Sequence, residues 1–186
     1  MFAIRRSILS QTKSFVRFNS SAAWDEAIAA VRQDLKTNIR SRADPLEKNV
    51  IRSILTEVKN FEVSHPEQTN DEFHLYDLLN KMIKQRKETA AEYMKEGSPD
   101  RFQQVGLNEL REIPFLKKYL ESLPVASPAQ VDAKVEAIAK ALKEQDQLTI
   151  KTLFSRIPWG TISSEWQASR SSVTESVNRV FAKLSN

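Results

Sequence analysis

Apolar residues recur along this chain at three- and four-residue spacings, and no segment alternates cleanly as a strand would. Trp24, Ile28, Val31 and Leu35 predict a first helix over residues 24–39. Asp44-Pro45-Leu46-Glu47 opens a second, with an acid at the cap, proline in the first helical position and glutamate three residues after the cap. Its buried face is Val50, Ile51, Ile54, Leu55, Val58 and Phe61. After a His65-Pro66 loop, Asn70 or Thr69 is expected to cap a third helix that reaches Lys95. Gly97-Ser98-Pro99-Asp100 ends it and starts a fourth, with Ser98 as cap and Pro99 in the first position. Pro114 predicts a kink or restart near Glu112. Leu123-Pro124-Val125-Ala126-Ser127 reads as a linker, and Ser127-Pro128-Ala129-Gln130 as a capping box before a fifth helix bearing Val131, Val135, Ile138 and Leu142. A sixth helix is expected over 148–157, and Ser172-Val173-Thr174-Glu175 is expected to cap a last one. Between them Trp159 and Trp166 are expected to be packed. The fold class is all-α: an N-terminal four-helix domain over 24–123 and a smaller C-terminal helical bundle over 124–186.

Within the third helix one residue breaks the pattern. Leu79, Met82, Ile83, Ala90 and Tyr93 share a face at about 100° per residue, and Arg86 falls at its centre. A guanidinium cannot shed its charge, so an arginine aimed at a core requires a carboxylate aimed at the same place. In the fourth segment Phe102, Val105, Ile113, Leu116, Leu120 and Leu123 make an apolar stripe that includes Glu109. A buried Arg86–Glu109 pair is expected, with Glu112 as the substitute partner.

On the opposite side Lys81, Lys84 and Lys87 form a basic stripe suited to phosphate contact, and equally to an ordinary solvated face that Glu88 partly neutralises. The stripe lacks interleaved exposed aromatics, so sequence-specific readout is not expected of it. His74 with Asp71 and Asp77 has spacing that permits a metal site, but acids gather at helix starts to complement the dipole, and no metal is expected. Gly-x-Gly-x-x-Gly, the phosphate loop, His-Glu-x-x-His and Gly-x-Ser-x-Gly are all missing from the sequence, which points to no catalytic residues and no cofactor. With no cysteine, disulfides, thiolate zinc sites and cysteine nucleophiles are excluded.

The formal charge is +4, from 28 basic and 24 acidic residues. Arg5, Arg6, Lys13 and Arg17 stand in an acid-free, serine-rich segment over 1–23, and removing it leaves equal numbers of each sign. As a helix this segment sets Ile4, Ile8 and Phe15 against Arg6, Lys13 and Arg17, the amphipathic pattern of a mitochondrial transit peptide cleaved shortly after Arg17. A mitochondrial matrix location follows as the expectation. No apolar run is long enough for a spanning helix.

Several segments, in order, carry a resemblance: Asp34-Leu35-Lys36, Val50-Ile51-Arg52-Ser53-Ile54-Leu55, Glu57-Val58-Lys59-Asn60, Lys84-Gln85-Arg86-Lys87-Glu88, then Glu109, Glu112 and Tyr119-Leu120 before Leu123-Pro124. Together they resemble the YqeY family, whose C-terminal part is shared with the tail of GatB, a subunit of the glutamine-dependent tRNA amidotransferase. The tail departs from the family pattern: Thr149-Ile150-Lys151-Thr152-Leu153 stands where a Gly-Lys usually precedes an apolar helix. The resemblance implies a helical accessory that binds tRNA or amidotransferase subunits, with Lys81, Lys84 and Lys87 as its contact. A family-level label of carbon–nitrogen ligase with glutamine as amido donor is also implied. The matching part is the tRNA-contacting tail, not the ATP-dependent catalytic domain, so a non-catalytic role is expected. The alternative is a helical protein-interaction module or assembly factor.

Overall fold

The computed structural model describes residues 20–42 and 44–185. They form seven α-helices and one π-helical turn: α1 (Ala22–Arg40), α2 (Pro45–Ser64), α3 (Glu72–Tyr93), α4 (Asp100–Glu121), α5 (Pro128–Glu144), α6 (Ile150–Arg156), the turn Ile162–Trp166, and α7 (Arg170–Ser185). Among the described residues no extended strand occurs, and the fold is all-α as the periodicity requires. The leader reading over 1–23 falls outside the described residues up to residue 19. Ser20 forms an isolated bridge with Asn70, and Ser21 caps α1 by accepting the Trp24 amide at 3.1 Å.

The helices start where side chains can satisfy their first amides. Asp44 accepts from Leu46 at the head of α2, and Ser127 and Gln130 exchange bonds in a full capping box at α5. Four sequence expectations need correction. Asp71, not Asn70 or Thr69, caps α3 through the His74 amide at 2.9 Å, because Asn70 is buried and spends its carbonyl on Ser21. Helix α3 ends at Tyr93 rather than Lys95. Pro99 occupies the cap of α4 without a side-chain bond, and Ser98 instead offers its carbonyl to Gln103. Ser169, not Ser172, caps α7, its hydroxyl accepting the Ser172 amide at 3.0 Å.

Pro114 does not interrupt α4. Its ring sits on the solvent face, so the Leu110 carbonyl it leaves unpaired faces water rather than core. Helix α5 ends in a Schellman motif: Asp146, at φ 54°, donates to Lys143 O, and Gln147 donates to Leu142 O at 2.9 Å. Gly106 marks the closest approach of α4 to α3, since a Cβ there would lie 2.5 Å from Met94 Cγ and 3.1 Å from Ala90 O.

Two hydrophobic cores form. The first joins α1–α4 through residues such as Trp24, Ile51, Ile54, Leu79 and Leu116, the last four with under 2 % of their surface exposed. The second joins α5–α7 and the π-helical turn through Val131, Val135, Leu153, Ile162, Val173 and Val177. Each such side chain contributes about 1.5–3 kcal/mol by leaving water. Trp166 is buried in the second core, while Trp159 is half-buried, stacked on Phe154 and donating its indole N–H to Phe154 O at 2.9 Å. The cores meet across the linker: Val125 packs on the first, Ala126 on the second. Ala126 also donates to Gln167 O at 2.7 Å, and that carbonyl is presented by a left-handed Gln167 (φ 51°).

Candidate nucleic-acid interface

Arg86 lies between two carboxylates. Its Nη1 donates to Glu109 Oε2 at 2.9 Å, and its Nη2 makes an ionic contact with Glu112 Oε2 at 2.8 Å. Glu112 is thus a simultaneous partner and not a substitute. The helical spacing explains this: Glu109 and Glu112 are one turn apart on α4, and both face the arginine from α3. The three side chains retain 25 %, 19 % and 13 % of their exposure, so the cluster sits at the margin of the first core. Burial pushes the Glu112 carboxyl above the usual carboxylate range; Arg86 opposes this and Glu109 adds to it. One cation serves two anions, and Arg86 and Glu109 also border a hollow of about 350 Å³ with Ser53, Glu57, Gln85 and Thr89.

The lysine stripe forms one wall of a larger feature. A cleft of about 550 Å³ opens between α3 and the start of α7, where the two units adjoin. Lys81, Lys84 and Lys87 line the α3 side, with Tyr76, Asp77, Asn80 and Ile83 below them. Ser171, Ser172, Glu175 and Arg179 line the α7 side, and Pro128 closes one edge. Lys84 stands 4.0 Å from Glu88; among the described residues Lys81 and Lys87 have no ion pair. Arg179 lines the cleft while its guanidinium makes a forked contact to Asp132 of α5, at 3.0 and 2.6 Å, and Asp132 also takes the Ser176 hydroxyl. Those contacts keep the Asp132 carboxyl below its ordinary range, Arg179 contributing most.

Asp77 links α3 to the start of α7 inside the cleft. Its Oδ1 accepts the Ser169 hydroxyl at 2.6 Å, and Ser169 in turn caps α7, so one carboxylate on α3 sets where α7 begins. Burial pushes the Asp77 carboxyl up, the Ser169 hydrogen bond opposes that, and Glu175 nearby adds to the rise. Asn80 donates from Nδ2 to Tyr76 O, leaving Oδ1 without a protein partner.

His74 and Asp71 do not combine with Asp77 around one point. His74 Nδ1 lies 2.8 Å from Asp71 Oδ1, and its ring packs 5.2 Å from Phe61, whereas Asp77 faces Ser169. Its hydrogen bond to Asp71 holds the imidazole above its ordinary pKa despite burial. A third polar group, Asp34, joins α1 to α4, accepting from Lys118 Nζ at 2.8 Å and the Tyr119 hydroxyl at 2.9 Å. Lys118 is the chief reason the Asp34 carboxyl is depressed, and burial together with Asp34 pushes the Tyr119 phenol well up.

The order of helices and the residues that meet at Arg86 can be set beside known sequences. The family model described as Yqey-like protein matches residues 28–157 of this chain. The chain belongs to the Yqey-like family. Among its relatives is a protein of Komagataella phaffii named "Altered inheritance of mitochondria protein 41, mitochondrial", 54 % identical over 183 residues, covering 97 % of this chain and 96 % of the relative. Proteins of the same name are 38 % identical in Kluyveromyces lactis, over 93 % of this chain and 91 % of the relative, and 31 % identical in Saccharomyces cerevisiae strain YJM789, over 96 % of each. These names support a mitochondrial location. No solved structure matches.

The Yqey-like match ends at Ile157, so it contains the α3 wall with its three lysines and excludes α7. Ser171, Glu175 and Arg179 were not singled out from sequence as site residues, and neither were Tyr76 and Asn80. A signal for Asn80 and Tyr76 existed, since they lie four and eight residues, about one and two turns, before Lys84 on the same helix. For the α7 residues no sequence signal exists, because some ninety positions separate them from α3. No helix among the described residues is long and apolar enough to cross a membrane.

Proposed function

We propose that this protein is a non-catalytic accessory of the mitochondrial matrix that binds tRNA, or the amidotransferase that modifies it, through the lysine wall of α3. The observation that carries the reading is the position of Lys81, Lys84 and Lys87: exposed, aligned along one cleft wall, and two of the three without an ion pair among the described residues. Successive lysines rise about 4.5 Å along the helix, and their long flexible stems can reach neighbouring phosphates of one strand. Amphipathic, acid-free residues 1–23 support the matrix location. The Arg86 pair with Glu109 is read as structural. A ligase activity is left to the multidomain relatives of the tail, since neither the sequence motifs nor the Arg86 cluster supplies a free acid, base or nucleophile for it.

The test is tRNA binding by the purified protein across a salt series, with Lys81, Lys84 and Lys87 replaced by Ala. Weaker binding and a shallower dependence on salt are expected, by roughly one unit of log–log slope per lost phosphate contact. Unchanged binding refutes the lysine wall. A second reading, a helical protein-interaction module, rests on a different observation: Tyr93, Met94, Phe102, Val105, Leu107 and Leu110 are each 37–42 % exposed around the α3–α4 turn. Protein recovered from mitochondria with a salt-resistant protein partner and no RNA would favour it.

A further inference from the structure

We infer that the cleft between α3 and α7 binds a single nucleotide whose base carries an exocyclic amino group, with phosphate on the lysine wall and the base directed inward. This rests on the reading that the α3 lysines hold phosphate. Three features of the cleft carry it. First, a volume of about 550 Å³ is that of a small-molecule site and exceeds what a phosphate alone would fill. A bare phosphate track needs only a convex row of cations, whereas this row borders a hollow.

Second, the hollow has an apolar wall, from Tyr76, Ile83 and Pro128, against which a base can leave water. Tyr76, five residues before Lys81, borders the hollow from the first core with 8 % of its surface exposed. Third, unpartnered acceptors line the cleft beside the hydroxyls of Ser171 and Ser172 and the Asp132-paired guanidinium of Arg179. Asn80 Oδ1 and the Glu175 carboxylate have no protein hydrogen-bond partner, and Asp77 keeps one oxygen beyond its bond from Ser169. Carboxylates beside a lysine row weaken any site for phosphate alone. They are explained when the ligand presents a donor as well as an anion, as the amino groups of adenine, cytosine and guanine do. Uracil presents a carbonyl oxygen at that edge and would face acceptors with an acceptor.

The experiment is calorimetric titration of the full-length protein at low salt with adenosine monophosphate, uridine monophosphate and inorganic phosphate in turn. Adenosine monophosphate is expected to bind at least about fivefold more tightly than uridine monophosphate, and phosphate to compete weakly. Lys84→Ala should weaken both nucleotides alike, and Glu175→Ala should bring their affinities together. Both residues are exposed, so an unchanged Tm separates either effect from unfolding. A six-residue oligoadenylate that binds more tightly than the monomer assigns the site to a strand; equal affinity assigns it to a free nucleotide, and either supports the cleft. Equal affinity for the two nucleotides, or phosphate competing as well as adenosine monophosphate, overturns the inference. If mononucleotides fail to bind while tRNA still binds through the lysines, the inference falls and the proposed function stands. If tRNA binding is also indifferent to the lysines, both fall.

Discussion

Replacing Arg86 by alanine removes the only cation from a site that holds two carboxylates. Glu109 and Glu112 would then stand about one helical turn apart with 19 % and 13 % of their exposure and no countercharge. Stripping one partner from a buried pair destabilises by about 3–5 kcal/mol, and the residual exposure here places the expectation near the lower end, at about 3 kcal/mol. For a chain of this length that corresponds to a Tm lower by roughly 6–12 °C. Urea unfolding followed by circular dichroism, with the slope held common to both proteins, measures it. Two companions sharpen the test. Adding Glu112→Gln to Arg86→Ala should recover part of the loss, because the amide needs no counterion; the double-mutant cycle then gives a coupling of opposite sign to a packing effect. Lower pH should act in the same direction. Burial already raises the Glu112 carboxyl and Arg86 opposes that rise, so without Arg86 the variant binds a proton at Glu112 on folding and its deficit shrinks as pH falls through the carboxylate range. A deficit below about 0.5 kcal/mol, or one that is constant from pH 4 to 7, refutes the account of Arg86 as the neutraliser of this cluster.

Leu116→Ala, at a position with no exposure between α4 and the first core, is expected to lose about 2–5 kcal/mol in the same urea assay. Gly106→Val should lose about 1–3 kcal/mol despite a better helix former, because its side chain meets Met94 and the Ala90 carbonyl. At the head of α3, His74 is raised by Asp71, so its stabilisation is full below the unfolded value of about 6.5 and is lost as pH rises through the folded one. Asp71, depressed by its bonds from His74, stabilises above about 3.9 and loses this as pH falls through its folded value. Stability measured from pH 5 to 8 should therefore decline by under about 1 kcal/mol, and Asp71→Asn should flatten the decline.

The fold was open to sequence because each element carries its own evidence. The Asp44-Pro45 start, the Ser127–Gln130 box and the three-four spacing of Val131, Val135 and Leu142 are local, and local rules suffice where a helix has one buried face. What escaped is what depends on a neighbour. Asn70 has the side chain of a cap, yet it is drawn into a bridge with Ser20, and Asp71 takes its place. Phe102, Val105 and Tyr93 continue the apolar stripes of α3 and α4, yet remain 37–39 % exposed, Tyr93 and Phe102 packing on each other with ring centroids 5.8 Å apart. Chain geometry alone predicts a kink or restart at Pro114, and α4 continues without a restart because the solvent-facing position of the proline, which only packing determines, makes the missing hydrogen bond cheap.

The cleft shows the same division more sharply. One wall is a run of lysines at i, i+3 and i+6, readable from a single helix. The other wall is joined to it through Ser169, which caps α7 and binds Asp77 at the same time. Asp77 had looked like a poor metal ligand beside His74, and that view was blind to its partner 92 positions away. A serine that serves a helix start and a carboxylate together ties the second unit to the first with one residue. That bond adds to the core packing of α7 and to the Ala126–Gln167 bond in holding α7 over the lysines, and Asp77→Ala should loosen the cleft without touching a lysine. In the proposed reading, tRNA affinity would fall modestly in that variant while its salt slope stayed that of the parent protein, since the number of phosphate contacts depends on α3 alone.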